Sequence, residues 1–264
     1  MPIWDNSQIE PRTRRANQRN FADFRLPRKY KYGIFPAFHL SMSNCLMLHG
    51  IGPTPKHTEE AEKPYWVSHE TFADVLNLAR SHPLQLTFDD ANSTDVSVVL
   101  PALQAAGQMA SFFIPTDRIG ETGYVDEKDI QALHAAGMEI GSHGCAHVRW
   151  TELNDAEIAY EVARSIERLS AIINAPVRSV AIPFGSCDRR VLSVLRALGV
   201  GKVYSSFRGQ NDDEAWLVRR ECIMAGMSYE DIYSRITYSP TFAETALNFL
   251  KIWRRAGNAA LWAA

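Results

Sequence analysis

Short apolar runs alternate with longer amphipathic stretches along residues 44–205, and this alternation predicts strands separated by helices. The predicted strands are Cys45–Leu48, Leu84–Phe88, Ala110–Ile114, Met138–Gly141, Val177–Ile182 and Lys202–Ser205. Apolar residues recur every three or four positions in the intervening stretches, which predicts helices over Ser68–Ala79, Val96–Ala106, Asp126–Ala136, Asn154–Ile173 and Arg189–Leu198. Strands that alternate with helices in this way pair in parallel through right-handed crossovers. The pattern therefore predicts an α/β fold.

The two ends of the chain do not follow this alternation. Residues 1–43 are interpreted as an irregular, basic N-terminal arm, whose cationic residues are Arg12, Arg14, Arg15, Arg19, Arg25, Arg28, Lys29 and Lys31. This arm is expected either to lie along the body or to contact an anionic partner such as a lipid-linked diphosphate. Residues 226–264 are predicted to form a C-terminal helical extension, which either packs against the body or lies on a membrane surface.

Composition narrows the class of protein. A chain of 264 residues that is 46% hydrophobic is large enough for one core, and an α/β barrel of this size commonly forms a single domain. The net charge of −2 gives no general attraction to nucleic acid. Four cysteines without a Cys-x-x-Cys pair do not form a disulfide framework. Without a signal peptide or a long apolar span, the expected location is cytoplasmic, with the inner face of the membrane as the alternative.

Two clusters of chemically active side chains follow predicted strands. Asp89 and Asp90 end the second strand, and His143 and His147 follow the fourth. In parallel α/β barrels the carboxyl ends of the strands form the rim that carries the active site. One aspartate with two histidines is the ligand set of a catalytic zinc-type site, and the other aspartate would serve as a base. If a helical turn starts at His143, it would direct both imidazoles to one side. The ligand set and the adjacent aspartate together predict a metal-dependent hydrolase.

These motifs resemble those of a known family. Thr87-Phe88-Asp89-Asp90 and Ser142-His143-Gly144-Cys145-Ala146-His147 look like the first two motifs of the polysaccharide deacetylases, the NodB-homology proteins of carbohydrate esterase family 4. Other segments similar to the family are Leu46–Gly50, Ala110–Pro115, Gly137–Gly141 and the third-motif region Ala181–Gly185. The resemblance covers residues 44–225. It implies a distorted (β/α)7 barrel, as a single domain, that removes acetyl groups from N-acetylated sugars.

The resemblance also implies a role for each site residue. Asp89 would be the general base, and the metal ligands would be Asp90, His143 and His147. Zinc is the expected metal, with cobalt, nickel and iron as alternatives for this ligand set. The loop Pro183-Phe184-Gly185 would contact the substrate, with the backbone N–H of Phe184 or Gly185 stabilising the oxyanion.

Two departures from the family pattern leave roles to be filled. The family's third-motif arginine, which orients the base, is replaced by Ala181, and Arg219 or Arg220 is the expected substitute. The family's late histidine, which protonates the leaving amine, is absent because no histidine follows His147. In some family members related by circular permutation the equivalent histidine comes from the first strand. The resemblance therefore implies His49, at the end of that strand, as the general acid, with His69 as the second choice.

Together with these residues, the resemblance implies an N-deacetylase that acts on a polysaccharide or its lipid-linked precursor during exopolysaccharide biosynthesis. The expected partner is an N-acetylated oligosaccharide or polysaccharide, with peripheral membrane contact as a secondary expectation and no nucleic acid. Two other classes stay open. One is a metallohydrolase of the same superfamily that cleaves a non-sugar amide or cyclic imide, and the other is an inactive sugar-binding protein.

Overall fold

The computed structural model describes residues 43–56, 58, 60–212 and 214–238 of the chain. The predicted basic arm, apart from Ser43, lies outside the described residues. The part of the predicted C-terminal extension that follows Tyr238 also lies outside them. Both therefore stay predictions.

Eight strands form one sheet within the described residues, and all of their pairings are parallel. The strands are β1 (Asn44–Leu48), β2 (Leu84–Asp89), β3 (Ala110–Ile114), β4 (Glu139–Ser142), β5 (Ser179–Ala181), β6 (Lys202–Tyr204), β7 (Leu217–Val218) and β8 (Glu221–Cys222). Their order is β7-β6-β5-β4-β3-β2-β1-β8, and the sheet curls into a half-barrel. The prediction of an α/β fold of the NodB type is confirmed.

Six α-helices accompany the sheet: α1 (His69–Ser81), α2 (Leu100–Ala106), α3 (Glu127–Ala135), α4 (Asp155–Ile173), α5 (Arg189–Ala197) and α6 (Tyr229–Thr237). Ser68 and Asp126 cap α1 and α3 through side-chain oxygens that accept backbone N–H groups, as the sequence predicts. The predicted helix from Val96 differs, because residues 95–99 form a π-helical turn before α2. Pro101 has no N–H to donate to Ser97, so a regular α-helical ladder cannot continue through this point.

One short run of chain joins the two edges of the curled sheet. Its first half, β7, pairs with β6, while its second half, β8, pairs with β1. Between the halves the Arg220 N–H donates to the Phe207 carbonyl at 2.8 Å. The Arg220 side chain is 1% exposed, so a guanidinium lies buried where the two edges approach each other.

The hydrophobic core lies on both faces of the sheet. A small cluster consists of Cys45, Phe113, Ala181, Tyr204 and Val218. Two larger clusters pack strand residues against the helices. Because both faces are covered, the strands are almost uniformly buried, which explains their unbroken apolar runs in the sequence. None of the helices in the described part of the chain has the length and apolar character needed to cross a membrane.

Candidate metal centre

The candidate residues meet at the carboxyl ends of the parallel strands. β1 and β4 end immediately before His49 and His143, β2 ends at Asp89, and β5 ends three residues before Phe184. These residues line a cavity of about 340 Å³: His49, Asp89, Asp90, His143, His147, Phe184 and Gly185. Pro183 and Arg219 are not among the residues that line this cavity. The rim expected from the parallel arrangement is therefore where the clusters come together.

Asp90, His143 and His147 form a compact group of metal-ligand type. One ligand atom from each lies within 4.8 Å of the other two. Asp90 Oδ1 is 3.0 Å from His147 Nε2 and 3.5 Å from His143 Nε2, yet it is buried without an aligned hydrogen bond. Burial alone would raise the pKa of Asp90, but the two imidazoles hold it well below its usual range. An ionised oxygen left between two imidazole nitrogens fits a divalent cation.

The two histidines differ in what their other ring nitrogen contacts. His143 Nδ1 is 2.9 Å from the Ala181 carbonyl, which only accepts, so Nδ1 carries the proton and Nε2 presents its lone pair. This is the usual outer contact of a metal-binding histidine. His147 Nδ1 is instead 3.2 Å from Arg118 Nη2, which only donates. A neutral His147 in this arrangement carries its proton on Nε2, so metal binding through Nε2 requires the Arg118 contact to give way.

The segment between the two histidines is a loop, and the expected helical turn is wrong. Gly144 and His147 both have left-handed backbone angles, with φ of 77° and 52°. The buried Glu161 on α4 holds the loop, since its Oε2 accepts from Cys145 N at 2.8 Å and from Ala146 N at 3.1 Å. A Cβ atom at position 144 would lie 2.9 Å from that oxygen, so glycine is needed there.

Asp89 has a different environment from Asp90. Each of its carboxylate oxygens accepts a 2.8 Å bond from Arg220, one from Nη1 and one from Nη2. The same guanidinium donates to Thr87 Oγ1 at 3.1 Å and to the Ser205 carbonyl at 3.0 Å. Burial would raise the pKa of Asp89, but the charge and hydrogen bonds of Arg220, together with His143 and His49, outweigh it and lower the pKa. Asp89 is therefore a fixed, ionised carboxylate.

Only one of the two predicted arginine substitutes lies at the site. Arg220 reaches Asp89, whereas Arg219 donates to the Gln210 carbonyl at 3.3 Å on the other side of the chain. Successive residues of an extended chain point to opposite sides, so only one of the pair can face the barrel interior.

His49 lies in the cavity at the end of β1. Its Nδ1 is buried without a hydrogen-bond partner among the described residues, and its ring lies 4.8 Å from that of Tyr65. Burial lowers the pKa of His49, while the charges of Asp90 and Asp89 act in the opposite direction. His69, the second choice, is the exposed first residue of α1 and does not line the cavity.

Three further side chains near the centre were not expected from the sequence. Arg118 Nη2 also donates to Glu62 Oε1 at 2.8 Å, and Glu62 lines the cavity from the loop between β1 and α1. Asp95 is 1% exposed and its Oδ1 has no hydrogen-bond partner among the described residues. Burial, followed by the charges of Asp90 and Asp89, raises the pKa of Asp95 well above its usual range. No local pattern marks Arg118 and Glu62, because they lie 56 residues apart in the chain.

Comparison with known proteins bears on this centre. Residues 79–203 match the family model for polysaccharide deacetylases. The predicted resemblance to the polysaccharide deacetylases is thereby confirmed. The matched range contains Asp89, Asp90, His143 and His147, but it ends before Arg220. No curated protein matches the chain.

Solved structures share the fold at low sequence identity. The Streptococcus pyogenes deacetylase PplD in complex with acetate is similar over 75% of this chain and 99% of its own, with 18% identity and a TM-score of 0.66. IcaB from Ammonifex degensii is similar over 75% of this chain and 97% of its own, with 18% identity and a TM-score of 0.61. A polysaccharide deacetylase from Bacillus cereus is similar over 74% of this chain and 69% of its own, with 20% identity and a TM-score of 0.66. At these identities the likeness establishes the fold.

Proposed function

We propose that this chain is a metal-dependent N-deacetylase that hydrolyses the acetamido group of N-acetylated sugars in a polysaccharide or its lipid-linked precursor. The observation that carries the proposal is the Asp90, His143 and His147 group beside the ionised Asp89 in one cavity. The family match over residues 79–203 supports the same reaction class.

Asp90, His143 and His147 are the residues that would hold the metal. One carboxylate oxygen and two imidazole nitrogens suit zinc, and also cobalt, nickel or iron. When bound, such an ion supplies polarisation of the acetamide carbonyl and a lowered pKa for water.

Asp89 acts as the general base. Its Oδ2 lies 3.9 Å from His143 Nε2, so this oxygen faces the ligand group and accepts the proton of the attacking water. Arg220 fixes the plane of the carboxylate through two parallel bonds and keeps it ionised. Arg220 thus supplies in space what the third-motif arginine supplies in the family pattern.

The third-motif loop and His49 complete the site. The Gly185 N–H already donates to the Ile182 carbonyl at 3.2 Å, so Phe184 N–H is the preferred oxyanion donor of the two. His49 acts as the general acid that protonates the leaving amine. Because burial lowers its pKa, His49 depends on the nearby carboxylates of Asp89 and Asp90 to retain a proton.

Acetate release tests the proposal. Metal-stripped protein, zinc-restored protein and zinc-restored Asp89→Asn protein would be compared on N-acetylglucosamine oligomers and on a lipid-linked acetamido sugar. We expect release only from the zinc-restored wild type. If tightly metallated protein releases no acetate from either substrate, the N-deacetylase assignment is wrong.

A further inference from the structure

One charged side chain at the cavity has no opposite charge beside it among the residues that the structure describes. Three carboxylates line the cavity, and each faces a cation or imidazoles: Asp89, Asp90 and Glu62. Arg149 lines the same cavity and is exposed. Within the described residues no carboxylate lies within 4.0 Å of its guanidinium, whereas the nearby surface residue Arg190 pairs with Asp155 at 3.1 Å. The cavity therefore presents one uncompensated positive charge.

The Arg149 guanidinium is supported by an aromatic ring. Its Cζ atom lies 4.7 Å from the centre of the Phe184 ring, and the Phe184 ring lies 4.4 Å from the ring of His147. Phe184 is 49% exposed and has a left-handed backbone with φ of 56°, which is an uncommon conformation for this residue type. These contacts form a continuous chain from the ligand group to the cavity wall.

Stacking has a direct consequence for recognition. A guanidinium held against an aromatic face keeps its N–H edge available for hydrogen bonds, and that edge matches carboxylate and phosphate oxygens. One phenyl ring, that of Phe184, separates the Arg149 guanidinium from the His147 ring, through contacts of 4.7 Å and 4.4 Å. An anion bound by Arg149 would therefore belong to the sugar that carries the acetamido group or to its immediate neighbour.

We propose that Arg149 is a specificity-determining residue that binds an anionic group of the substrate, so that the enzyme prefers acidic N-acetylated saccharides to neutral ones. The inference rests on the proposed N-deacetylase function and narrows its substrate class. Two sources supply the same chemistry. One is the carboxylate of a uronate sugar within the glycan, and the other is the phosphate of a lipid-linked precursor.

The experiment compares kcat/KM on three substrates. These are a neutral N-acetylglucosamine trimer, an oligosaccharide that alternates N-acetylglucosamine with glucuronate, and N-acetylglucosamine joined to a short polyprenyl diphosphate. The proteins are the wild type, Arg149→Ala, Arg149→Lys and the matched control Arg190→Ala, all loaded with zinc. Arg190 carries the same charge on the nearby surface but does not line the cavity.

We expect Arg149→Ala to lower the preference for an anionic over the neutral substrate about tenfold, the loss of a charge-assisted hydrogen bond. Arg149→Lys should restore part of the preference, and Arg190→Ala should keep it. The anionic substrate that shows the loss identifies the source. The wild-type preference should also weaken as ionic strength rises, because salt screens an exposed ion pair.

Other outcomes separate this inference from the proposed function. Equal losses on all three substrates, or no loss on any, would overturn the specificity role while the N-deacetylase function stands. Absence of turnover on all substrates would overturn the proposed function. In that case calorimetric binding of the glucuronate oligosaccharide and of the diphosphate-linked sugar decides the role of Arg149. Weaker binding of either by Arg149→Ala supports the anion site, and unchanged or absent binding overturns it.

Discussion

Asp89 and Asp90 are neighbours in the chain, yet the fold surrounds them in opposite ways. Both oxygens of Asp89 accept bonds from Arg220, whereas Asp90 Oδ1 is buried without an aligned hydrogen bond between two imidazoles. A carboxylate with all its partners inside the protein is fixed for one task. A buried, ionised oxygen without an aligned hydrogen bond is available to an external ligand. The surroundings of the two aspartates, and not their residue type, therefore give these identical side chains different properties.

The sharpest test of this contrast is Asp89→Asn. The substitution leaves the buried Arg220 charge unpaired, and breaking a buried pair in this way costs about 3–5 kcal/mol of unfolding free energy. Deacetylation should be abolished while metal binding is kept. Urea unfolding of metal-free protein measures the loss, with Asp90→Asn as the matched control. A larger loss in the control would reverse the contrast, and loss of metal from Asp89→Asn would mean that the two aspartates exchange roles.

His49→Ala tests a group whose pKa both aspartates influence. Removal of a general acid typically slows turnover by about 10²–10⁴-fold, and metal affinity should be unchanged because His49 is outside the ligand group. Single-turnover acetate release and a metal titration give the two readouts. An unchanged rate would remove His49 from the mechanism.

Asp90→Asn should act on the ligand side of the comparison. Even outer partners of metal ligands change affinity by about 10–100-fold, so loss of the negative charge of a ligand should weaken affinity by roughly 100-fold or more. The metal-free protein should also lose some stability, because the imidazoles that lower the Asp90 pKa stabilise its charge in the folded state. A competition titration with a zinc chelator measures the affinity. Retained affinity would exclude Asp90 as a ligand.

Asp95→Asn tests how the charges of Asp89 and Asp90 affect the pKa of a third carboxyl group, that of Asp95. A raised folded-state pKa means that the folded protein keeps the Asp95 proton after the unfolded chain has released it at about pH 4. Stability is therefore lost as pH rises from about 4 toward the folded pKa, by about 1.4 kcal/mol per pH unit. Asp95→Asn should lack this loss. The free energy of unfolding of the metal-free wild type and of Asp95→Asn would be measured across this pH range. Parallel curves for the two proteins would contradict the prediction.

Asp89 makes the opposite contribution to the pH dependence. Its folded-state pKa is lowered, so its stabilisation is present above about pH 4 and is lost as pH falls through the folded pKa. The wild type should therefore lose stability as pH falls below about 4, because of Asp89, and as pH rises above about 4, because of Asp95.

The smallest expected effect concerns Arg118. Its donor contact holds the His147 proton on Nε2, and its charge lies 3.9 Å from Asp90 Oδ1. Both effects oppose a cation, so Arg118→Gln should raise zinc affinity a few-fold, on the order of the 1 kcal/mol of one hydrogen bond. Arg168→Gln, a substitution of a partly exposed arginine that bonds the Thr116 carbonyl, is a matched control. Weaker zinc binding in Arg118→Gln alone would show that Arg118 supports the site instead.

Much of the candidate site could be predicted from the sequence because its signals are local. The apolar runs end at Asp89 and shortly before His143, and strand ends in a parallel sheet share one rim. The helical turn at the histidines was wrong, because local spacing does not reveal that Glu161, on a later helix, bonds the loop in a left-handed conformation.

The sequence by itself determined the parallel α/β fold, the ligand-type cluster and the resemblance to the polysaccharide deacetylases, since periodicity and motif spacing are properties of neighbouring residues. Only the tertiary structure decided which side chains complete the centre. Arg220 rather than Arg219 reaches Asp89 because their run of chain joins both edges of the curled sheet, and that register directs one side chain inward. The roles inferred for Arg118 and Arg149 likewise depend on their contacts with His147 and Phe184, which only the fold brings close to them.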